Sequence, residues 1–222
     1  MNQQIRSFGK LFLATALLAL AVTACKRDNL AANNNCIECN NPLSASALEA
    51  NGSSPAAHIA ASETVEIPAA VALPESLPNG NTRVATYYAV GVQKYKAREK
   101  AGSPGVYEWA FVAPQAELYD SNNNKVGVHG AGPFWSVSPV DSIFAQQFSP
   151  ARTAPSQDPE TIDWLLLKTK EGTTPTGIFA DVDYVQRIVT KGGKAPLTPP
   201  ATATETIEVK YKAVYRFSKS NQ

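Results

Sequence analysis

The stretch TIEVKYKAVYRF, Thr206 to Phe217, constrains the fold of this chain more than any other. Ile207, Val209, Tyr211, Ala213, Tyr215 and Phe217 share one face. Glu208, Lys210, Lys212 and Arg216 share the other, with Val214 the exception. Strand side chains alternate between faces, so this pattern predicts a half-buried strand with one wet side. VATYYAVGVQKYK, Val84 to Lys96, is apolar on both faces at its start, as a central strand would be. VYEWAFVA, Val106 to Ala113, places Tyr107, Trp109 and Phe111 on one side. AELYD and KVGVHG read as two strands joined by the tight loop SNNN, where Asn accepts left-handed backbone. FWSVS, DSIFAQQF, IDWLLLKTK and DVDYVQRIVT are further strands. Many short strands divided by Gly, Pro and Asn clusters predict an all-β fold, a single antiparallel β-sandwich or barrel-like domain.

The N-terminus has a different texture. Arg6 and Lys10 precede the uncharged run LFLATALLALAV, Leu11 to Val22. A basic region followed by a short apolar region is the pattern of a secretory signal. The run is shorter than the roughly 20 residues a membrane-spanning helix takes. It ends in VTAC, Val22 to Cys25, which resembles the lipobox of bacterial lipoproteins. The resemblance implies cleavage before Cys25 and acylation there, an anchor stronger than the two lipid signals stable attachment requires. Residues 26 to about 64 hold no aromatic side chain and are rich in Asn, Ala and Ser. They read as a disordered tether, since little apolar surface is available to offset the entropy of ordering. The spaced prolines of EIPAAVALPESLPNG, Glu66 to Gly80, favour an extended path along a surface. The expected organisation is a signal over 1–24, a lipidated Cys25 and tether over 25–64, and the β domain over 65–222.

The chain has three Cys; setting Cys25 aside leaves Cys36 and Cys39 in CIEC, an even pair in an exported chain. No second CxxC exists for zinc, no βα unit flanks the pair as redox chemistry requires, and Asn40 stands where haem attachment needs His. A small local disulfide is the expectation. Of 20 bases and 19 acids, two bases lie in the signal, so 18 bases face 19 acids afterwards. That balance argues against nucleic acid as a partner.

Sites with strong signatures are missing. The sequence has no GxGxxG opening a helix, no GxxxxGK[ST] and no GxSxG. It has only two histidines, His58 and His129, and His58 falls in the expected tether. A multi-histidine metal site is excluded, and neither metal nor cofactor is expected.

The segment that remains is GVHGAGPFW, Gly127 to Trp135. As structure, its glycines permit a turn, Pro133 stiffens it and Trp135 fills the core. As a site, it offers an imidazole beside an aromatic wall, suited to a small polar ligand. The turn is the weightier of these two readings, because the chain must turn here in any case. In YVQRIVT, Tyr184, Gln186 and Ile188 share one face, and Val185, Arg187 and Val189 the other. Arg187 on an apolar face needs an internal ion pair, with Asp120 or Asp141 the expected partner, or an anionic ligand. KGGK, Lys191 to Lys194, reads as an exposed turn.

AVGVQKY (Ala89 to Tyr95), EWAFVAPQAELYD (Glu108 to Asp120), KVGVHGAGPFW (Lys125 to Trp135), WLLLK (Trp164 to Lys168), YVQRIVTKGGKAP (Tyr184 to Pro196) and the terminal YKAVYRF occur in an order that resembles an exported bacterial and fungal family, domain-of-unknown-function family 3455. The resemblance runs from about Ile67 to Phe217 and implies a single β-rich exported domain. It also implies, in relatives, a Cys after the Tyr of the GVQxY segment and another after the GGxAP segment. Here Lys96 stands at the first place and no Cys follows Pro196, so the chain must hold without that disulfide.

Together these readings predict a lipid-anchored protein of the bacterial cell envelope, on the periplasmic or cell-surface side, with the outer membrane the expected membrane. Its leading function is a non-catalytic binding module for a small polar ligand or envelope glycan, using Gln93, His129, Trp135, Gln186 and Arg187. One alternative is an enzyme with His129 as general base, which needs a carboxylate or hydroxyl within reach of His129 in a cleft. Another is a structural or partner-binding domain, which predicts an exposed apolar patch.

Overall fold

A computed structural model describes residues 53–74, 80–156 and 158–221. The signal, Cys25, the Cys36 and Cys39 pair and most of the expected tether lie outside the described residues.

The fold is the barrel form of the expected class. Eight antiparallel strands follow in chain order, each beside the next, and the last closes on the first. They are β1 (Asn81–Glu99), β2 (Tyr107–Tyr119), β3 (Lys125–Gly130), β4 (Phe134–Ser138), β5 (Asp141–Ala154), β6 (Trp164–Thr169), β7 (Tyr184–Gly192) and β8 (Thr206–Ser220). Closure leaves no long edge exposed to a second chain.

Three boundaries differ from the sequence expectation. VYEWAFVA and AELYD are one strand, β2, because Pro114 within it sits opposite Gln93 without breaking the pairing. β5 runs on to Ala154 by stepping its register from Gln147↔Leu167 to Arg152↔Leu166. The residues between bulge out of the ladder, a place where Pro150 is tolerated. The tether also ends earlier than residue 64, because Pro55–Ser62 forms a helix, α1. Ser54 caps it through Ala57 N–H, and Pro55 stands at its start, where the missing N–H is not needed.

The barrel is lined by one parity of each strand. Ala89, Ala116, Leu118, Ile143, Ala145, Leu167, Val185, Ala213 and Phe217 belong to one buried cluster inside it. Small residues oppose large ones across the ladder, as with Ala89 against Leu118, which lets a narrow barrel fill.

The outer face is covered on one side. α1 and the chain after it, with a single 3-10 turn at Ala69–Val71, run over β1 and β5–β8. Ile59 packs with Tyr88, Ile188 and Val214, and Val71 packs with Ala154 and Leu166. Polar contacts fix the path. Arg152 donates to the carbonyls of Ala69, Ala70 and Ala72, and Gln186 Nε2 to that of Val71 at 2.7 Å. Arg216 donates to Ser62 O and pairs with Glu63 at 3.3 Å. Asn123, left-handed at φ 67°, accepts from Ala56 N–H at 2.9 Å.

This strap corrects the expected wet side of β8. Only its first half is wet; Val214, Arg216 and Ser218 are buried beneath α1 and the chain that follows it, with Arg216 5% exposed. His58, expected in the tether, is stacked on Tyr88 at 4.3 Å between centroids.

Candidate functional site

The two ends of the barrel are built differently. One is plugged by Phe179, carried on a 3-10 turn at Gly177–Phe179. Asp141 holds that turn by accepting from Ile178 N–H at 2.8 Å and from the Ser138 hydroxyl. Both bonds favour the carboxylate and hold its pKa down, the serine contact most. Phe179 and Phe217 meet at 4.8 Å, and Trp135 stands edge-on to Phe217 at 5.7 Å.

Beyond Trp135 the packing opens. GVHGAGPFW is the β3–β4 hairpin, and its register pairs His129 directly with Trp135. Their rings therefore stack at 4.4 Å, 8° from parallel. Gly127 permits this hairpin: a Cβ there would lie 2.2 Å from Ser136 O. Tyr215 reaches across from β8, its ring 4.9 Å from His129 and 5.2 Å from Trp135. The segment is thus a turn and also one wall of a cavity.

His129 is 3% exposed. Its Nδ1 lies 2.8 Å from Phe134 O, a pure acceptor, so the proton sits on Nδ1 and Nε2 keeps a lone pair. Burial drives its pKa down to about 3, with Arg187 adding to the shift and the Phe134 carbonyl opposing it. The imidazole is neutral and weakly basic.

The cavity measures about 280 Å³. Gln93, His129, Trp135, Gln147, Arg187 and Tyr215 supply its polar atoms; Phe111, Pro114, Pro133, Leu165 and Leu167 supply apolar wall. A second, more open hollow of about 320 Å³ shares Gln93, Phe111, Gln147, Leu165 and Arg187 with it and adds Ile162, Asp163 and Lys194. Gln93 Nε2, Trp135 Nε1 and the hydroxyls of Tyr211 and Tyr215 are buried at this end with no hydrogen-bond partner. The two hydroxyls influence one another, and Tyr215 feels Arg187, without reaching hydrogen-bond geometry. Burial raises both tyrosine pKa values, so both remain neutral donors.

Arg187 does not pair with Asp120 or Asp141. Asp120 is occupied by Asn122 N–H and Asn124 N–H in the β2–β3 loop, and Asp141 serves the plugged end. Arg187 instead donates through Nε and Nη2 to Asp163 O, at 3.2 and 2.8 Å. Among the described ion pairs none includes Arg187.

Four of the residues singled out from sequence, Gln93, His129, Trp135 and Arg187, meet in this cavity. Gln186 does not. It has the opposite parity on β7, lies on the outer face, and its amide holds the strap at Val71. KGGK is only half exposed. Lys191 and Lys194 face solvent, but Gly193 is buried, and a Cβ there would lie 2.7 Å from Tyr211 Cβ. Tyr95 fastens this loop by donating to Gly193 O at 2.7 Å. Sequence reasoning did not name Gln147 or Tyr215 as site residues. For Tyr215 the inward parity was the available signal, because a Tyr on a buried face carries a polar atom that needs a partner; Gln147 shares the inward parity of β5 but is exposed.

Among the described residues, no three His, Cys, Asp or Glu side chains gather as a metal site, and no helix is long and apolar enough to cross a membrane. Residues 78–219 match the family model described as "Protein of unknown function (DUF3455)", and the chain belongs to that family. No curated protein and no solved structure matches it. The strap over residues 55–74 precedes the matched span.

Proposed function

We propose that this member of the DUF3455 family is a lipid-anchored envelope protein, attached through Cys25, whose barrel binds one small polar ligand in its open end without acting on it chemically. The observation that carries the reading is the set of buried polar atoms without partners around the cavity. Each such atom costs about 1–3 kcal/mol if nothing meets it. A site for a ligand accounts for several of them at once. Eight-stranded barrels are wide enough to hold one small ligand, and about 280 Å³ lies at the small end of ligand pockets.

The geometry favours a compact molecule over a glycan chain. Trp135 is fully buried and already covered by His129, so it offers no open platform for a sugar ring. It also favours binding over general-base catalysis. The hydrogen bond of His129 goes to a carbonyl, and burial leaves its imidazole a weak base.

The test is a thermal-shift screen on the exported chain with Cys25→Ser, which keeps every barrel contact. The panel holds sugars, organic acids, nucleotides and divalent metals. A ligand of the native state raises Tm by mass action. The expected result is a shift from one class that shrinks in Gln93→Leu and Tyr215→Phe. No shift from any class would overturn the reading. The anchor has its own check: labelled palmitate enters the parent chain and not Cys25→Ser.

A further inference from the structure

We infer that the ligand is a small organic monoanion whose carboxylate is received by Arg187 and whose apolar body lies against Phe111, Leu165 and Pro133. This rests on the binding reading above and names the chemical class.

The hydrogen-bonding groups of the cavity are mostly donors. An indole N–H and an amide NH₂ only donate, and a neutral phenol donates readily. Trp135 Nε1, Gln93 Nε2 and the Tyr215 hydroxyl therefore present donors without acceptors. No carboxylate lines the inner cavity. The acceptors there are His129 Nε2 and the glutamine carbonyls. An occupant rich in acceptors fits this wall, and a cation does not.

Charge points the same way. Arg187 faces the cavity as a cation, held by a carbonyl that orients the guanidinium without neutralising it. Its positive field reaches His129, Tyr95, Tyr211 and Tyr215, acting on each against the protonated form. His129 stays neutral and adds no second charge. Asp163 and Lys194 in the outer hollow are one of each sign. One uncompensated cation matches one negative charge, and a guanidinium fork matches a planar carboxylate. The apolar wall then selects a hydrocarbon body over a bare ion.

The test is calorimetric titration of the exported Cys25→Ser chain with matched probes: acetate, benzoate and phenylacetate, and the corresponding primary amides. The expected result is that benzoate or phenylacetate binds about tenfold or more tightly than its amide, the range of a charged hydrogen bond. Acetate, with no body to bury, binds weakest. Arg187→Gln removes the preference for acid over amide. Arg187→Lys, which keeps the charge and loses the fork, retains a reduced preference and guards against a folding failure in the Gln variant. Equal binding of acid and amide, or a preference unchanged in both variants, would overturn the inference and leave the cavity as a neutral-ligand site. If neither acids nor amides bind, the inference falls. If the full thermal-shift panel is silent as well, the binding reading falls with it.

Discussion

The plugged and open ends of the barrel use the same strands to opposite effect. At the plugged end Phe179, Phe217, Val182 and Val185 pack together inside the barrel, and Asp141 spends its hydrogen bonds seating the Phe179 turn. At the open end the aromatic column continues as Trp135, His129 and Tyr215, but each of these rings carries a heteroatom. The polar atoms there outnumber the partners the chain supplies. The contrast teaches that β8 is both core and site: Phe217 belongs to one end and Tyr215, two residues along the same face, to the other.

Substitutions can break this comparison. The largest effect is expected at the plugged end. Phe217→Ala should destabilise by about 3–5 kcal/mol, the usual range for a buried aromatic. A loss under about 1 kcal/mol in urea unfolding would mean that this end is not close-packed.

Next comes pH. His129 is neutral when folded, with a pKa of about 3, and takes a proton near 6.5 when unfolded. Its contribution to stability is full above pH 6.5 and is lost as pH falls toward 3. Between pH 7 and pH 5 the parent should lose about 2 kcal/mol more than His129→Gln. Equal losses would show that the imidazole is hydrated.

Gln186→Ala should cost about 1–2 kcal/mol by freeing the strap at Val71, and should leave ligand binding unchanged. A binding defect there would return Gln186 to the site. The smallest effects on stability belong to the open end. Tyr215→Phe and Arg187→Gln should each stay within about 1 kcal/mol of the parent, or gain, because they remove polar groups without full partners. A loss as large as that of Phe217→Ala would erase the difference between the ends.

Much of the barrel was legible in alternation alone. TIEVKYKAVYRF declared its inner face, and most strand cores fell where the pattern put them. The strap was not legible, since Ile59 is the one large apolar side chain α1 supplies. Tyr88, Ile188 and Val214, distant in sequence, provide most of the surface it covers. That same cover explains the placement of Gln186 away from the cavity. The sequence separated Gln186 from Arg187 by parity but could not say which face was inside, because the strap buries the outer face of β7 too. Val185 and Ile188, on opposite faces, are equally buried. The GVHGAGPFW question had two answers for a geometric reason. A hairpin that pairs His129 with Trp135 across its strands makes the turn and the cavity wall in one move.

The most direct test of the account is a high-resolution crystal structure of residues 25–222 with Cys25→Ser, grown alone and with benzoate. The account predicts a dry plugged end around Phe179. It predicts an open end filled by ordered solvent, or by the acid, hydrogen-bonded to Gln93, Trp135 and Tyr215 and facing Arg187. A collapsed open end, with those polar atoms paired to one another and no space between them, would contradict it.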